Sequence, residues 1–238
     1  MARAVYRRVL LKLSGEALEG GQRSGIDPDT LESVARQVQD LCGLGVQTAV
    51  VLGGGNLFRG ISGAAGGMNR SVADAMGMLA TLINGLALQD ALVRLGQTAA
   101  LLSAVPLGSF AEPFSRRRAL AGLEAGEVVI LGAGTGNHYF TTDTAAALRA
   151  LEVGAEALLK ATKVDGVYDK DPVKHPDAVR FETLTYQEVL DRRLGVMDLT
   201  AVTLCRENGL PLVVFNLKQE GNIRRVALGE AVGSRITS

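Results

Sequence analysis

The chain reads as an α/β protein built on a mostly parallel sheet covered on both faces. Three observations predict this. Val9-Leu10-Leu11-Lys12-Leu13 and residues 46–52 are near-continuous apolar runs of strand length, the pattern of strands buried on both sides. Between them Leu31, Val34, Ala35, Val38 and Leu41 recur at helical spacing. Further runs at 98–102, 128–131, 157–160 and 212–215 are also separated mostly by helical stretches, and strands alternating with helices imply parallel pairing.

The elements follow in order. The first strand ends at Ser14-Gly15, a tight turn. Asp27-Pro28 supplies an N-cap and a first-turn proline for the first helix, and Gly43 and Gly45 end it. The second strand runs straight into Gly53-Gly54-Gly55. Residues 71–95 form a helix that is apolar nearly all round, so more than one side of it must be covered. A buried central helix and a subunit interface both satisfy that, and an interface including this helix is favoured. Lys163-Val164-Asp165-Gly166-Val167-Tyr168 reads as a tight hairpin with Asp-Gly at its turn. With 238 residues and no repeat or linker, residues 1–238 form one domain.

Composition narrows the function class. Lys+Arg and Asp+Glu balance at 25 each, so no global field points to nucleic acid or an anionic membrane. The apolar stretch 72–95 is interrupted by Asp74, Asn84, Gln89, Asp90 and Arg94, which argues against a membrane span. The N-terminus does not have the pattern of a signal peptide. Cys42 and Cys205 are the only cysteines and read as reduced thiols of a cytosolic protein. With His138 and His175 the only histidines, no zinc site is expected, nor any other metal site made by the protein itself.

In open parallel sheets ligands sit beyond the carboxyl ends of the strands. The polar and glycine-rich residues fall there: Ser14-Gly15, Gly53-Gly54-Gly55, residues 132–137 and residues 160–162. Gly53-Gly54-Gly55-Asn56 either needs positive φ for a turn or brings backbone N–H groups close to an anion, and nearby Arg59 favours the anion. Gly132-Ala133-Gly134-Thr135-Gly136-Asn137 misses the dinucleotide fingerprint at its sixth position, and the nucleotide P-loop pattern is absent. Thr141-Thr142-Asp143 opens a helix whose N-terminus suits an anion, with Asp143 either a first-turn carboxylate or a site residue. Lys12 and Lys160 end apolar strands at corresponding places. One such lysine could snorkel to water, but two suggest convergence on a shared anion. Asp74 either pairs with Arg70 one turn earlier or accepts hydrogen bonds from a ligand.

Together these segments resemble the amino acid kinase family, and within it the bacterial UMP kinases, along essentially the whole chain. The match is carried by 11–17 (LKLSGEA), 53–60 (GGGNLFRG), 67–70 (GMNR), 76–81 (MGMLAT), 134–137 (GTGN), 140–143 (FTTD), 159–167 (LKATKVDGV) and 196–199 (VMDL). The resemblance implies a three-layer αβα sandwich with UMP over the N-terminal half and ATP, with Mg²⁺, over the C-terminal half. It implies ATP contacts at Lys12, Leu13, Ser14, Gly15, Gly55, Arg59, Thr162, Tyr168 and Asp171. UMP contacts are implied at Gly54, Asp74, Thr135, Gly136, Asn137, His138, Tyr139, Phe140, Thr141 and Thr142. Lys12, Lys160 and Asp143 take the catalytic roles. A cytoplasmic homohexamer in pyrimidine nucleotide biosynthesis, activated by GTP and inhibited by UTP, is implied as well. His138-Tyr139 stands where the family often has Pro-Phe. Residues 20–25, the stretch associated with GTP activation, keep the glycines but not the usual residues between them.

Overall fold

The computed structural model describes residues 3–22, 24–58 and 66–238. Over these, the order is β1 (Arg8–Leu13), a 3₁₀ turn (Gly15–Leu18), α1 (Pro28–Gly43), β2 (Gln47–Leu52), α2 (Arg70–Arg94), β3 (Ala99–Ser103), β4 (Glu112–Pro113) and α3 (Arg116–Glu124). Then come β5 (Val128–Gly132), α4 (Thr142–Val153), β6 (Ala157–Thr162), β7 (Val167–Tyr168), β8 (Arg180–Phe181), β9 (Thr183–Thr185), α5 (Tyr186–Asp191), α6 (Leu199–Glu207), β10 (Leu212–Asn216), α7 (Asn222–Ala227) and β11 (Ser234–Thr237).

Nine strands form one sheet in the order β4-β3-β5-β2-β1-β6-β10-β11-β9. All pairs are parallel except β10 with β11. Period-2 alternation sends successive side chains to opposite faces. Val9, Leu11 and Leu13 of β1 join α1, α2 and α7 in one core, through residues such as Leu31, Val38, Leu88 and Ile223. Leu10 joins the other core with α3, α4, α5 and α6, through Leu123, Ala147, Val189 and Val202. The architecture is therefore the three-layer αβα sandwich.

The local signals for the first helix hold. Asp27 caps α1, accepting from the Thr30 amide at 2.8 Å, and Gly45 leaves the helix at φ +79. The expected hairpin at 163–168 does not form. β7 instead pairs antiparallel with β8, more than ten residues downstream. Gly166 serves close approach rather than a turn: a Cβ there would lie 2.8 Å from Arg180 Cδ, and the next amide, of Val167, donates to Ser234 Oγ at 2.8 Å.

Helix α2 is long and apolar enough to cross a membrane by length and composition alone, despite its interruptions. In the fold it is a layer helix. Ala80, Leu82, Asn84, Leu88 and Leu92 are buried, while Val72, Met76, Leu79, Ile83, Leu86 and Val93 are exposed along the other side. Cys42 and Cys205 are free thiols on opposite layers, and burial raises both pKa values, that of Cys205 to about 11.

Candidate active site

The glycine turns that end β1 and β2 lie backbone to backbone. The Gly53 amide donates to the Leu13 carbonyl at 2.9 Å. A Cβ on Gly15 would stand 2.7 Å from the Gly53 carbonyl oxygen and 2.8 Å from the Gly55 nitrogen. A Cβ on Gly54 would meet Ala80 Cβ at 2.7 Å and the Gly77 carbonyl at 2.9 Å. Gly15, Gly53 and Gly54 all lie outside the positive-φ region, so these glycines are required for close approach and not for positive φ. A reciprocal amide pair holds it from behind. Asn84, fully buried on α2, donates to the Gly53 carbonyl and to Asn56 Oδ1, both at 2.7 Å. Asn56 returns a bond to Asn84 Oδ1 at 3.0 Å and another to the Gly25 carbonyl at 2.9 Å. Arg59, expected beside this loop, lies outside the described residues.

Lys12 and Lys160 are register partners on the adjacent parallel strands β1 and β6. Each follows a core leucine by two residues, Leu10 and Leu158, so both project toward the α4 face. What they converge on is a carboxylate of the protein itself. Lys12 Nζ lies 2.9 Å from Asp143 Oδ1 and Lys160 Nζ 2.8 Å from Asp143 Oδ2. Lys160 also makes a hydrogen bond to Oδ2 at 2.8 Å. Burial opposes ionisation of Asp143, but Lys12 and then Lys160 outweigh it and hold the pKa below the usual carboxylate value. Burial lowers the Lys160 pKa, and the like charge of Lys12 adds to this against the pull of Asp143. Asp143 stands in the first turn of α4 without capping it, and its carboxylate is committed to the two lysines. The cap of α4 is Thr141, whose Oγ1 accepts from the amides of Asp143 and Thr144 at 3.1 and 3.2 Å.

A cavity of about 490 Å³ opens on the Thr141–Thr142 side of this triad. It is lined by Gly54, Gly55, Asp74, its expected partner Arg70, Thr135, Asn137, Phe140, Thr141 and Thr142, and by Glu16, Phe58 and Thr81, for which the sequence suggested no role. Gly136, His138 and Tyr139 belong to the same loop without lining the cavity. Of the two readings of Asp74, the structure shows the pair with Arg70 and adds a backbone partner. Arg70 Nε donates to its two oxygens at 2.8 and 3.0 Å, and the Tyr139 amide donates to Oδ2 at 2.8 Å. Burial opposes ionisation of Asp74, but these partners win and lower its pKa. The loop stands in unusual backbone: Ala133 and Tyr139 have φ of 62 and 69, beside Gly134 and Gly136 at 60 and 81. The structure overdetermines it, with the Ala133 amide donating to Thr81 Oγ1 at 2.9 Å and Arg149 reaching the Gly134 carbonyl at 3.3 Å.

A second cavity, about 580 Å³, opens on the Lys160 side and takes in Thr162, Tyr168 and Asp171. The Tyr168 hydroxyl donates to Asp165. Ser14 and Thr162 also border a third cavity of about 510 Å³ against α1. Leu13 is fully buried, so only its backbone faces the site. Among the described residues no group of three or more His, Cys, Asp or Glu could hold a metal ion. Asp143 is taken by two ammonium groups. A resident metal cage does not fit this donor set.

A sequence profile of the amino acid kinase family matches residues 7–216. Among solved structures, a UMP kinase from Bacillus anthracis is similar at TM-score 0.94 and 38% identity, over 98% of this chain and 96% of that one. A UMP kinase from Ureaplasma parvum is similar at TM-score 0.92 and 37% identity, over 98% of this chain and 99% of that one.

Proposed function

The chain belongs to the amino acid kinase family, and from that premise we propose that it transfers the γ-phosphoryl group of ATP to UMP, giving ADP and UDP. The observation that carries this reading is the Lys12–Asp143–Lys160 triad with a cavity on either side. UMP occupies the cavity of Asp74 and the 135–142 loop. ATP reaches the triad from the side of Thr162, Tyr168 and Asp171, with Ser14, Gly15, Gly55 and Arg59 at its phosphates. Mg²⁺ would accompany ATP and supply neutralisation of its phosphate charge.

The acceptor phosphate has a second pKa near ~6, so its attacking oxygen is already anionic at neutral pH and no general base is required. What the protein supplies is in-line positioning and neutralisation of charge on the transferring group. Lys12 and Lys160 do the second, and Asp143 orients them. The pH profile of kcat follows from these groups. Its acid limb lies near ~6 and belongs to the acceptor. Its alkaline limb reports Lys160, whose lowered pKa makes the ammonium lose its proton below the ordinary lysine range. A profile flat up to pH ~10 contradicts that assignment.

An ADP-release assay comparing UMP, CMP, carbamate and N-acetylglutamate tests the reading. UMP gives the highest kcat/KM; preference for any other acceptor refutes it. The exposed stripe at 72, 76, 79, 83, 86 and 93 of α2 repeats with coiled-coil spacing and supports burial against another copy, within a homohexamer. Gly25, tied by both its N–H and its C=O to Asn56 of the glycine loop, supports a route by which an effector such as GTP or UTP acts on the site. The two free thiols support a reducing, cytoplasmic setting, and UDP as product would place the reaction in pyrimidine nucleotide synthesis.

A further inference from the structure

The short segment between α5 and α6 touches both halves of the site at once. Asp198 caps α6, accepting from the Ala201 amide at 3.0 Å. Its carboxylate also accepts from Thr144 Oγ1 at 2.9 and 3.0 Å and from Thr141 Oγ1. Thr141 is thereby fixed as a donor toward Asp198, leaving its lone pairs for the amides of Asp143 and Thr144. Two residues before Asp198, the buried Val196 offers its carbonyl to Lys160 Nζ. One turn of chain thus grips the N-terminus of the helix that carries Asp143 and, separately, the ammonium that Asp143 orients.

We propose that Asp198 is a positioning residue for phosphoryl transfer, aligning the acceptor-side Thr141 and the Lys160 ammonium through its own segment. This rests on the UMP kinase reading for its kinetic consequence but not for its geometry. Asp198 touches neither the ammonium nor the cavities directly; it acts through Thr141, Thr144 and Val196. An asparagine in its place keeps one oxygen for the α6 cap but cannot also accept from two hydroxyls, and it removes one negative charge near Lys160. The other charges facing Lys160 are Asp143 on α4 and Lys12 on β1.

The test compares Asp198→Asn and Thr144→Val with the unaltered full-length chain. Asp198→Asn lowers kcat about tenfold, the scale of about 1.4 kcal/mol, while KM for ATP changes less than about threefold. In ¹³C-lysine NMR, which needs no substrate, Lys160 titrates at lower pH in Asp198→Asn than in the unaltered chain. Thr144→Val removes one anchor but keeps the charge, so it lowers kcat about threefold without moving the lysine titration. An Asp198→Asn protein with kcat within twofold of the parent, or with an unmoved Lys160 titration, overturns the proposal. Should that variant fail to fold, an unchanged kcat in Thr144→Val overturns it equally. If the unaltered chain itself releases no ADP with UMP, the functional reading fails, and the NMR comparison still decides the geometry.

Discussion

Replacing Asp143 by asparagine lowers kcat at least about 100-fold, the scale of losing one preorganised electrostatic group. The substitution is nearly isosteric, so packing changes little and the electrostatics change completely. Lys12 and Lys160 are neighbours in strand register, both largely buried, and among the described residues Asp143 is the carboxylate within ion-pair distance of each. Without its charge, two ammonium groups face each other in a poorly solvated site, and breaking such a buried pair typically costs about 3–5 kcal/mol. They relieve this by losing a proton or turning away, and either response removes positive charge from where the transferring phosphoryl group needs it. Lys12→Ala produces a loss on the same scale from the other side of the triad. Acceptor binding responds differently, because Asp74, Arg70 and the Tyr139 amide assemble without any of these three residues. Calorimetric titration with UMP therefore gives a Kd within a few-fold of the unaltered chain, while steady-state turnover collapses. Near-normal kcat in Asp143→Asn removes the triad from the mechanism.

The lysine pair was legible in the sequence because strand alternation is local. Each lysine follows a core leucine by two residues, so both had to share a face once β1 and β6 were parallel neighbours. Their partner Asp143 was legible only through the family resemblance, which placed it with the lysines in the catalytic set. Asp143 reaches them only after α4 crosses back over the sheet, and position alone left it equally a first-turn carboxylate. The same limit hid Asp198, whose partners Thr141 and Thr144 lie 57 and 54 residues upstream. Its short Val-Met-Asp-Leu segment marked family likeness but carried no sign of what it holds. The failed hairpin at 163–168 shows the converse. Asp-Gly is a strong local turn signal, yet contacts with Ser234 and Arg180 use the same glycine for close approach. The α2 helix shows a third case. Its apolar composition demanded cover on several sides, but which side lay open depended on how it packs on the sheet.

Gly15→Ala produces the other large effect, through sterics alone. The added methyl points at two backbone atoms, 2.7 Å from the Gly53 oxygen and 2.8 Å from the Gly55 nitrogen, with Asn56 Oδ1 nearer still. A flexible side chain in that position could swing aside at small cost; these atoms cannot. The Gly53 amide is bonded to Leu13, its carbonyl to Asn84, and Gly54 is pressed against α2. Either the two loops part or the strand ends shift, and both displace the backbone N–H groups proposed to hold the phosphates. Overpacking of this kind costs about 1–3 kcal/mol, which for a chain of this size lowers Tm by roughly 2–12 °C. Misplacing a catalytic loop by about 1 Å costs on the order of 100-fold in turnover. Gly43→Ala is the matched control, since a Cβ there meets nothing within 4 Å and its φ is not positive. That variant keeps full activity and an equal or higher Tm, because alanine suits a helix better than glycine. If Gly15→Ala behaves like the control, the two glycine loops are not the close-packed cradle that their backbone contacts describe.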